Sequence, residues 1–147
     1  MIEFDTVAHS YSGGELFTDV SLRLAPGSFH FLTGPSGTGK TTLAGLLSKH
    51  YGWEAHYESV ADNPYINDFY KDMKHWSFHM QVFYLNQRFQ QILEFRRKEI
   101  SVIQDRTIYE DAYIFSANLH EMGLMSKRDF ACYRNLFNTV EHLVAPP

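Results

Sequence analysis

The sequence predicts an α/β fold, a three-layer α/β/α arrangement on a parallel sheet with antiparallel strands ahead of it, and three observations carry that prediction. A glycine-rich loop, Gly34-Pro35-Ser36-Gly37-Thr38-Gly39-Lys40-Thr41, lies between a short apolar run and a helical pattern. After residue 27, short apolar strands alternate with helices, the order that places a parallel sheet between helical layers. Before it, alternation at Ile2, Phe4, Leu16, Val20, Leu22 and Leu24 reads as antiparallel strands, with turns at Ser12-Gly13-Gly14 and Ala25-Pro26-Gly27.

Taken in order, residues 28–33 form an apolar strand feeding the loop. Residues 40–50 carry Leu43, Leu46 and Leu47 at helical spacing, ended by Gly52. A second strand, 54–60, ends near Glu58 before Asp62-Asn63-Pro64 breaks the pattern. From about 68 to 98 the spacing predicts one long amphipathic helix. Phe69, Met73, Trp76, Met80 and Phe83 share its stripe, Phe89 and Leu93 extend it, and Lys and Arg fill the last turn. A brief strand at 101–104 meets Asp105-Arg106-Thr107. The helix at 108–122 has Gly123 at its C-terminal cap, and Ser126-Lys127-Arg128-Asp129 opens a last helix to about Val144. The whole reads as a single P-loop domain: an N-terminal β segment, 1–27, and a core, 28–147.

Composition narrows the function classes. A chain of 147 residues with 44% hydrophobic and 16% aromatic content suits one globular domain. A formal charge of −4 without a long basic run leaves no footprint for duplex nucleic acid or an anionic membrane. One cysteine, Cys132, excludes an internal disulfide framework and suits a reducing compartment. The acidic, strand-like start is unlike a leader peptide, and no apolar run approaches the roughly 20 residues of a membrane span. The expectation is a soluble cytoplasmic protein. His56 and His79 read as surface or core residues, and Met80, Met122 and Met125 as packing.

The loop matches G-x-x-x-x-G-K-[ST], and each fixed residue has a physical task. Glycines 34, 37 and 39 let successive backbone N–H groups face an anion, and the following helix adds the positive end of its dipole. Lys40 reaches the β and γ phosphates, while Thr41 offers a hydroxyl to Mg²⁺. The predicted ligands are ATP and Mg²⁺, bound by Gly34, Pro35, Ser36, Gly37, Thr38, Gly39, Lys40, Thr41 and Thr42. A P-loop NTPase-type fold follows, but the loop alone names no reaction.

Two resemblances meet in it. Residues 1 to about 43 resemble the N-terminus of ABC-transporter ATPases of the cell-division subgroup. The residues are Ile2-Glu3-Phe4-Asp5-Thr6-Val7, the aromatic Tyr11, Phe17-Thr18-Asp19-Val20-Ser21-Leu22, and Gly27 through Leu43. That resemblance implies adenine stacking on Tyr11. An unpaired surface aromatic in a hairpin is the alternative, and no later ABC motif follows in order.

From about residue 40 to 147 the chain resembles the deoxynucleoside kinases. The residues are Tyr57-Glu58-Ser59-Val60, Trp76-Ser77-Phe78-His79-Met80-Gln81 and Asp105-Arg106-Thr107-Ile108-Tyr109-Glu110-Asp111-Ala112-Tyr113-Ile114-Phe115. This implies transfer of the ATP γ-phosphate to a deoxynucleoside 5′-hydroxyl. Glu58 would take the hydroxyl proton and Arg106 orient acid and acceptor, with Lys40 completing the catalytic set and Asp105 joining Thr41 at magnesium. Gln81 would read the base, Asp111 and Phe115 contact and stack on it, and Tyr70 hold the sugar.

Periodicity alone leaves Glu58 and Asp105-Arg106 as strand-end charges, Gln81 and Tyr70 as a polar helix edge, and Phe115 as core. Asn63 stands where the family usually has an aromatic, so base preference stays open. The family continues past Pro147 with another strand and an arginine-bearing lid, so the resemblance implies weak or missing transfer here. Family habit further implies a homodimer through the long helices. An ABC ATPase fragment working with a membrane permease, or a nucleotide-binding remnant without turnover, remain the other readings.

Overall fold

In the computed structural model the chain is described throughout except at Ser12, Gly13, Phe29, Thr33, Pro35, Ser36, residues 58–62, Glu99 and residues 145–147, and at the side chains of Tyr11, Glu15, Leu16 and Phe17. It divides after Gly52 into two compact units, taken here one at a time.

The first unit holds an antiparallel hairpin, β1 (Ile2–Tyr11) with β2 (Gly14–Leu24). Ile2 pairs with Leu24 and Phe4 with Leu22, which puts their side chains on one half-buried face. The register then slips at bulges, and Thr6 (φ 54°) and Asp19 (φ 53°) sit in the slips in the left-handed region. The second expected turn forms: Gly27 (φ 70°) follows Pro26, and the Ser28 N–H donates to the Ala25 carbonyl at 3.2 Å. The first expected turn, at Ser12-Gly13, lies outside the described residues.

The expected strand at 28–33 is a correction, because Ser28 and residues 30–32 take no strand conformation. A parallel strand is defined by its neighbours, and β1 and β2 pair with each other. Phe31 and Leu32 are accordingly exposed. Helix α1 (Lys40–Tyr51) follows the loop, is anchored by buried Leu43 and Ala44, and ends at Gly52 in the left-handed conformation (φ 68°).

The second unit opens with β3 (Glu54–His56), which pairs in parallel with β4 (Val102–Gln104), giving the parallel element of the α/β fold. Residues 58–60 of the expected strand lie outside the described residues. The single long helix is also corrected: α2 (Ile66–Lys71) and α3 (Met73–Lys98) are separate. Asp72 leaves the helical region (φ −145°, ψ 83°), and its carboxylate accepts the His75 N–H at 3.1 Å as an N-cap for α3.

Nor is α3 apolar along one stripe only. Leu85 packs with Ile108, Ala112, Tyr133, Phe137, Val140 and Val144, while Met80 and Tyr84 pack with Phe69, Leu119 and Met125. A helix covered on two sides has two apolar stripes, and the expected stripe members Met73 and Leu93 are exposed.

After β4, the expected continuous helix has three parts: α4 (Ile108–Glu110), a π-helical turn (Asp111–Phe115) and α5 (Ser116–Glu121). Thr107 and Glu110 close a capping box at its start. At its end the Gly123 N–H reaches His120 and the Leu124 N–H reaches Leu119, a Schellman cap around left-handed Gly123 (φ 71°). Helix α6 (Lys127–Leu143) starts at Ser126, whose hydroxyl accepts from the Asp129 N–H as the sequence predicts. Its residues Tyr133, Phe137 and Val140 are buried at helical spacing.

Replacing the Asp72 cap by alanine should lower stability by about 1 kcal/mol, read from the urea midpoint, with helix content retained. A second expectation concerns pH. The Glu54 carboxyl sits below its ordinary range because His56 lies 2.8 Å from it and Lys98 lies 3.2 Å from it. A depressed carboxylate stabilises the fold above its unfolded pKa, and that contribution disappears as pH falls through the folded value. An NMR titration should place Glu54 below the ordinary carboxyl value of 4.5 and find it raised in Lys98→Met.

Candidate nucleotide and nucleoside sites

The phosphate loop belongs to the first unit. Gly37 (φ 83°) and Gly39 (φ 85°) are both left-handed, a conformation that disfavours any side chain there. Gly39 caps α1 without a side-chain hydrogen bond, and the Lys40 ammonium folds back across the loop to the Gly34 carbonyl at 2.8 Å. Helix-start N–H groups beside a lysine and the Thr41 and Thr42 hydroxyls are the donor set that a magnesium-bound triphosphate requires. Gly34, Gly37, Thr38 and Thr41 are exposed, and Thr42 is half-buried. The predicted contributors Pro35 and Ser36 lie outside the described residues, as does Glu58.

The other predicted residues stand in the second unit, Asp105 and Arg106 at the carboxyl end of β4. The Asp105 N–H donates to the His56 carbonyl at 2.9 Å, extending the ladder past the strand. Arg106 then turns sharply in the left-handed region (φ 81°), costly for a residue with a side chain and characteristic of functional sites. The turn directs the guanidinium over the Phe115 ring, 4.1 Å from its centroid. Arg106 and Phe115, both expected at the site, are thereby joined. Phe115 is 38% exposed, so its default reading as core is corrected: the π-helical turn presents it outward.

Gln81 and Asp111 are deeply buried, at 1% and 2% exposure. Gln81 is therefore no polar helix edge, and its Oε1 finds no hydrogen-bond partner among the described residues. An orphaned buried amide oxygen costs stability unless something donates to it. Asp111 accepts from Arg88 Nε at 2.9 Å in an ion pair that is itself buried. Tyr70 stands on α2, 68% exposed and edge-on to Phe69.

Arg88 is the residue that sequence reasoning missed. Its signal was a cation two helical turns after Gln81, among Leu85, Phe89 and Ile92, where a solvated arginine would not sit. Tyr133 was missed too. It is fully buried, its hydroxyl also lacks a partner among the described residues, and burial pushes its pKa up.

A phosphate-loop sequence ahead of a helix, followed by the parallel β3–β4 pair, places the chain among P-loop α/β proteins. Residues 31–147 match the family model for deoxynucleoside kinase, and the chain belongs to that family. It is 41% identical over 116 residues to the deoxyadenosine kinase of Dictyostelium discoideum, covering 79% of this chain and 47% of that one. A solved structure of the M. mycoides deoxyadenosine kinase, with the products dCMP and a flexible dCDP bound, superposes with a TM-score of 0.63. Its identity is 34%, over 69% of this chain and 52% of that one. The α/β fold is thus the P-loop NTPase fold of these kinases. The chain spans about half the length of the curated kinases it matches. A shorter match, 46% identical over 57 residues, joins 37% of this chain to 10% of an ATP-dependent lipid A-core flippase from Dechloromonas aromatica (strain RCB).

Breaking the Arg88–Asp111 pair should be strongly destabilising. Arg88→Met alone leaves a buried carboxylate without this partner and should cost about 3–5 kcal/mol in chemical unfolding, whereas Arg88→Met with Asp111→Leu should recover most of it.

Proposed function

We propose that the chain transfers the γ-phosphate of ATP to the 5′-hydroxyl of a deoxynucleoside in the cytoplasm. The observation that carries this reading is the buried Gln81, its acceptor oxygen unmet among the described residues, on the helix that also carries Arg88 of the buried Arg88–Asp111 pair. An amide and a fixed carboxylate–guanidinium pair offer donors and acceptors to one edge of a nucleobase, and Phe115 offers a stacking face. Relatives named as deoxyadenosine and deoxyguanosine kinases support the same substrate class.

In this reading the acceptor oxygen attacks the γ-phosphorus, the bond to the β-bridging oxygen breaks, ADP leaves, and Glu58 takes the hydroxyl proton. Arg106 orients acid and acceptor, Tyr70 holds the sugar, and Lys40 offsets charge on the β and γ phosphates. Thr41 and Asp105 are the residues that would hold magnesium, which would supply further charge neutralisation. Two copies associate through the long helices. One domain carries the whole, with 1–27 a β segment of ABC-ATPase type. The flippase match favours that second ancestry, and under it alone a membrane permease would be the partner. No helix among the described residues is long and apolar enough to cross a membrane.

Release of ADP from Mg-ATP, measured with and without a panel of deoxynucleosides, tests the reading. The expected result is nucleoside-dependent release that Glu58→Gln lowers about 10²-fold or more. Hydrolysis indifferent to every nucleoside would favour the ABC reading, and ATP binding without product would leave a nucleotide-binding remnant.

A further inference from the structure

The π-helical turn moves a backbone hydrogen bond out of α register. In an α-helix the Ser116 N–H would donate to the Ala112 carbonyl, but here it donates to Asp111, one residue earlier. The Ala112 carbonyl, in a residue with no exposed surface, accepts from two side chains. The Ser116 hydroxyl donates to it at 2.7 Å, and Arg134 Nη1 donates to it at 3.3 Å from α6.

Arg134 holds the turn in a second way. Its guanidinium lies over the Tyr113 ring at 4.5 Å and near the Phe137 ring at 5.6 Å. One side chain on α6 therefore grips two consecutive residues of the turn, Ala112 and Tyr113. Asp111 and Phe115, the first and last residues of that turn, point to different tasks: Asp111 inward to Arg88, and Phe115 outward beneath Arg106. Four residues advance about 400° in an α-helix and some 70° less in a π turn, so relaxing the turn rotates one of these side chains relative to the other.

We propose that Arg134 is a positioning residue of the deoxynucleoside site, fixing the π-helical turn and with it the relative orientation of Asp111 and Phe115. The inference rests on the kinase reading above for its substrate. Arg134 touches neither substrate nor the reacting atoms in this role. It acts through the carbonyl of Ala112 and the ring of Tyr113.

The test compares the whole chain with its Arg134→Met variant, which keeps an unbranched apolar stem and loses both contacts. The KM for the best deoxynucleoside should rise about tenfold, the loss of one charged hydrogen bond, while the KM for ATP stays within about twofold. Amide exchange should accelerate at residues 111–117 and stay unchanged at the α6 amides. An unchanged nucleoside KM would overturn the proposal, as would parallel rises in both KM values with a lowered Tm, the mark of a general structural role. If the unmodified chain shows no nucleoside-dependent turnover, the kinase reading falls, and amide exchange decides the positioning role: local acceleration supports it and unchanged exchange overturns it.

Discussion

The second unit depends on two charges taken out of water. Arg88 and Asp111 are 5% and 2% exposed at their side chains, and desolvation makes such a pair tolerable only when its geometry is held. The pair ties the middle of α3 to the start of the π-helical turn. Apolar packing of Leu85, Ile108, Ala112 and Phe137 beside it sets the spacing but gives no direction. An ion pair gives direction, since a carboxylate must meet a guanidinium edge. It is a costly way to hold helices together, and the cost is understandable where a polar ligand must be met.

The route from β4 to that pair is unusual at each step. Arg106 adopts a left-handed conformation, Thr107 and Glu110 cap the helix that follows, and the helix widens into a π turn within one turn of its start. Strain stored in two adjoining places is paid back by contacts between them, because Arg106 from the first covers Phe115 from the second. A regular α-helix would set Phe115 about 40° past a full turn from Asp111, and the π turn sets it about 30° short of one, which reverses the offset between a buried carboxylate and an outward ring.

Local chemistry was the part legible in the sequence. Gly52, Gly123, Ser126 and Ala25-Pro26-Gly27 end or start elements where their own φ preferences and short hydrogen bonds require it, and no distant contact is needed. The phosphate loop is legible for the same reason. What depends on neighbours was not. Residues 28 and 30–32 have strand-like composition but no strand pairing, and α3 has two covered sides, which a search for one stripe reads as a single face. Asp72 could have been read as a cap; the helical spacing on both sides of it concealed the break. The π turn leaves no mark in periodicity, because its insertion is compensated by Ser116 and by Arg134 on another helix. Likewise Gln81, Asp111 and Phe115 were identified through resemblance, while Arg88, buried like Gln81 and Asp111, needed the structure.

The two sites differ in what specifies them, and that bears on how the sequence can change character at the loop. Phosphate binding asks for left-handed glycines, a helix start and a lysine within reach, all between Gly34 and Thr42. The buried polar groups of the second unit ask for α3, the π turn and α6 to agree in register across more than fifty residues, from Gln81 to Arg134. A segment upstream of a self-contained loop can be of another ancestry without disturbing the loop's geometry. The second unit has no such freedom, since the Arg88–Asp111 pair and the Arg134 contacts each join different elements. Both requirements fall within residues 31–147, the region that matches the deoxynucleoside kinase family.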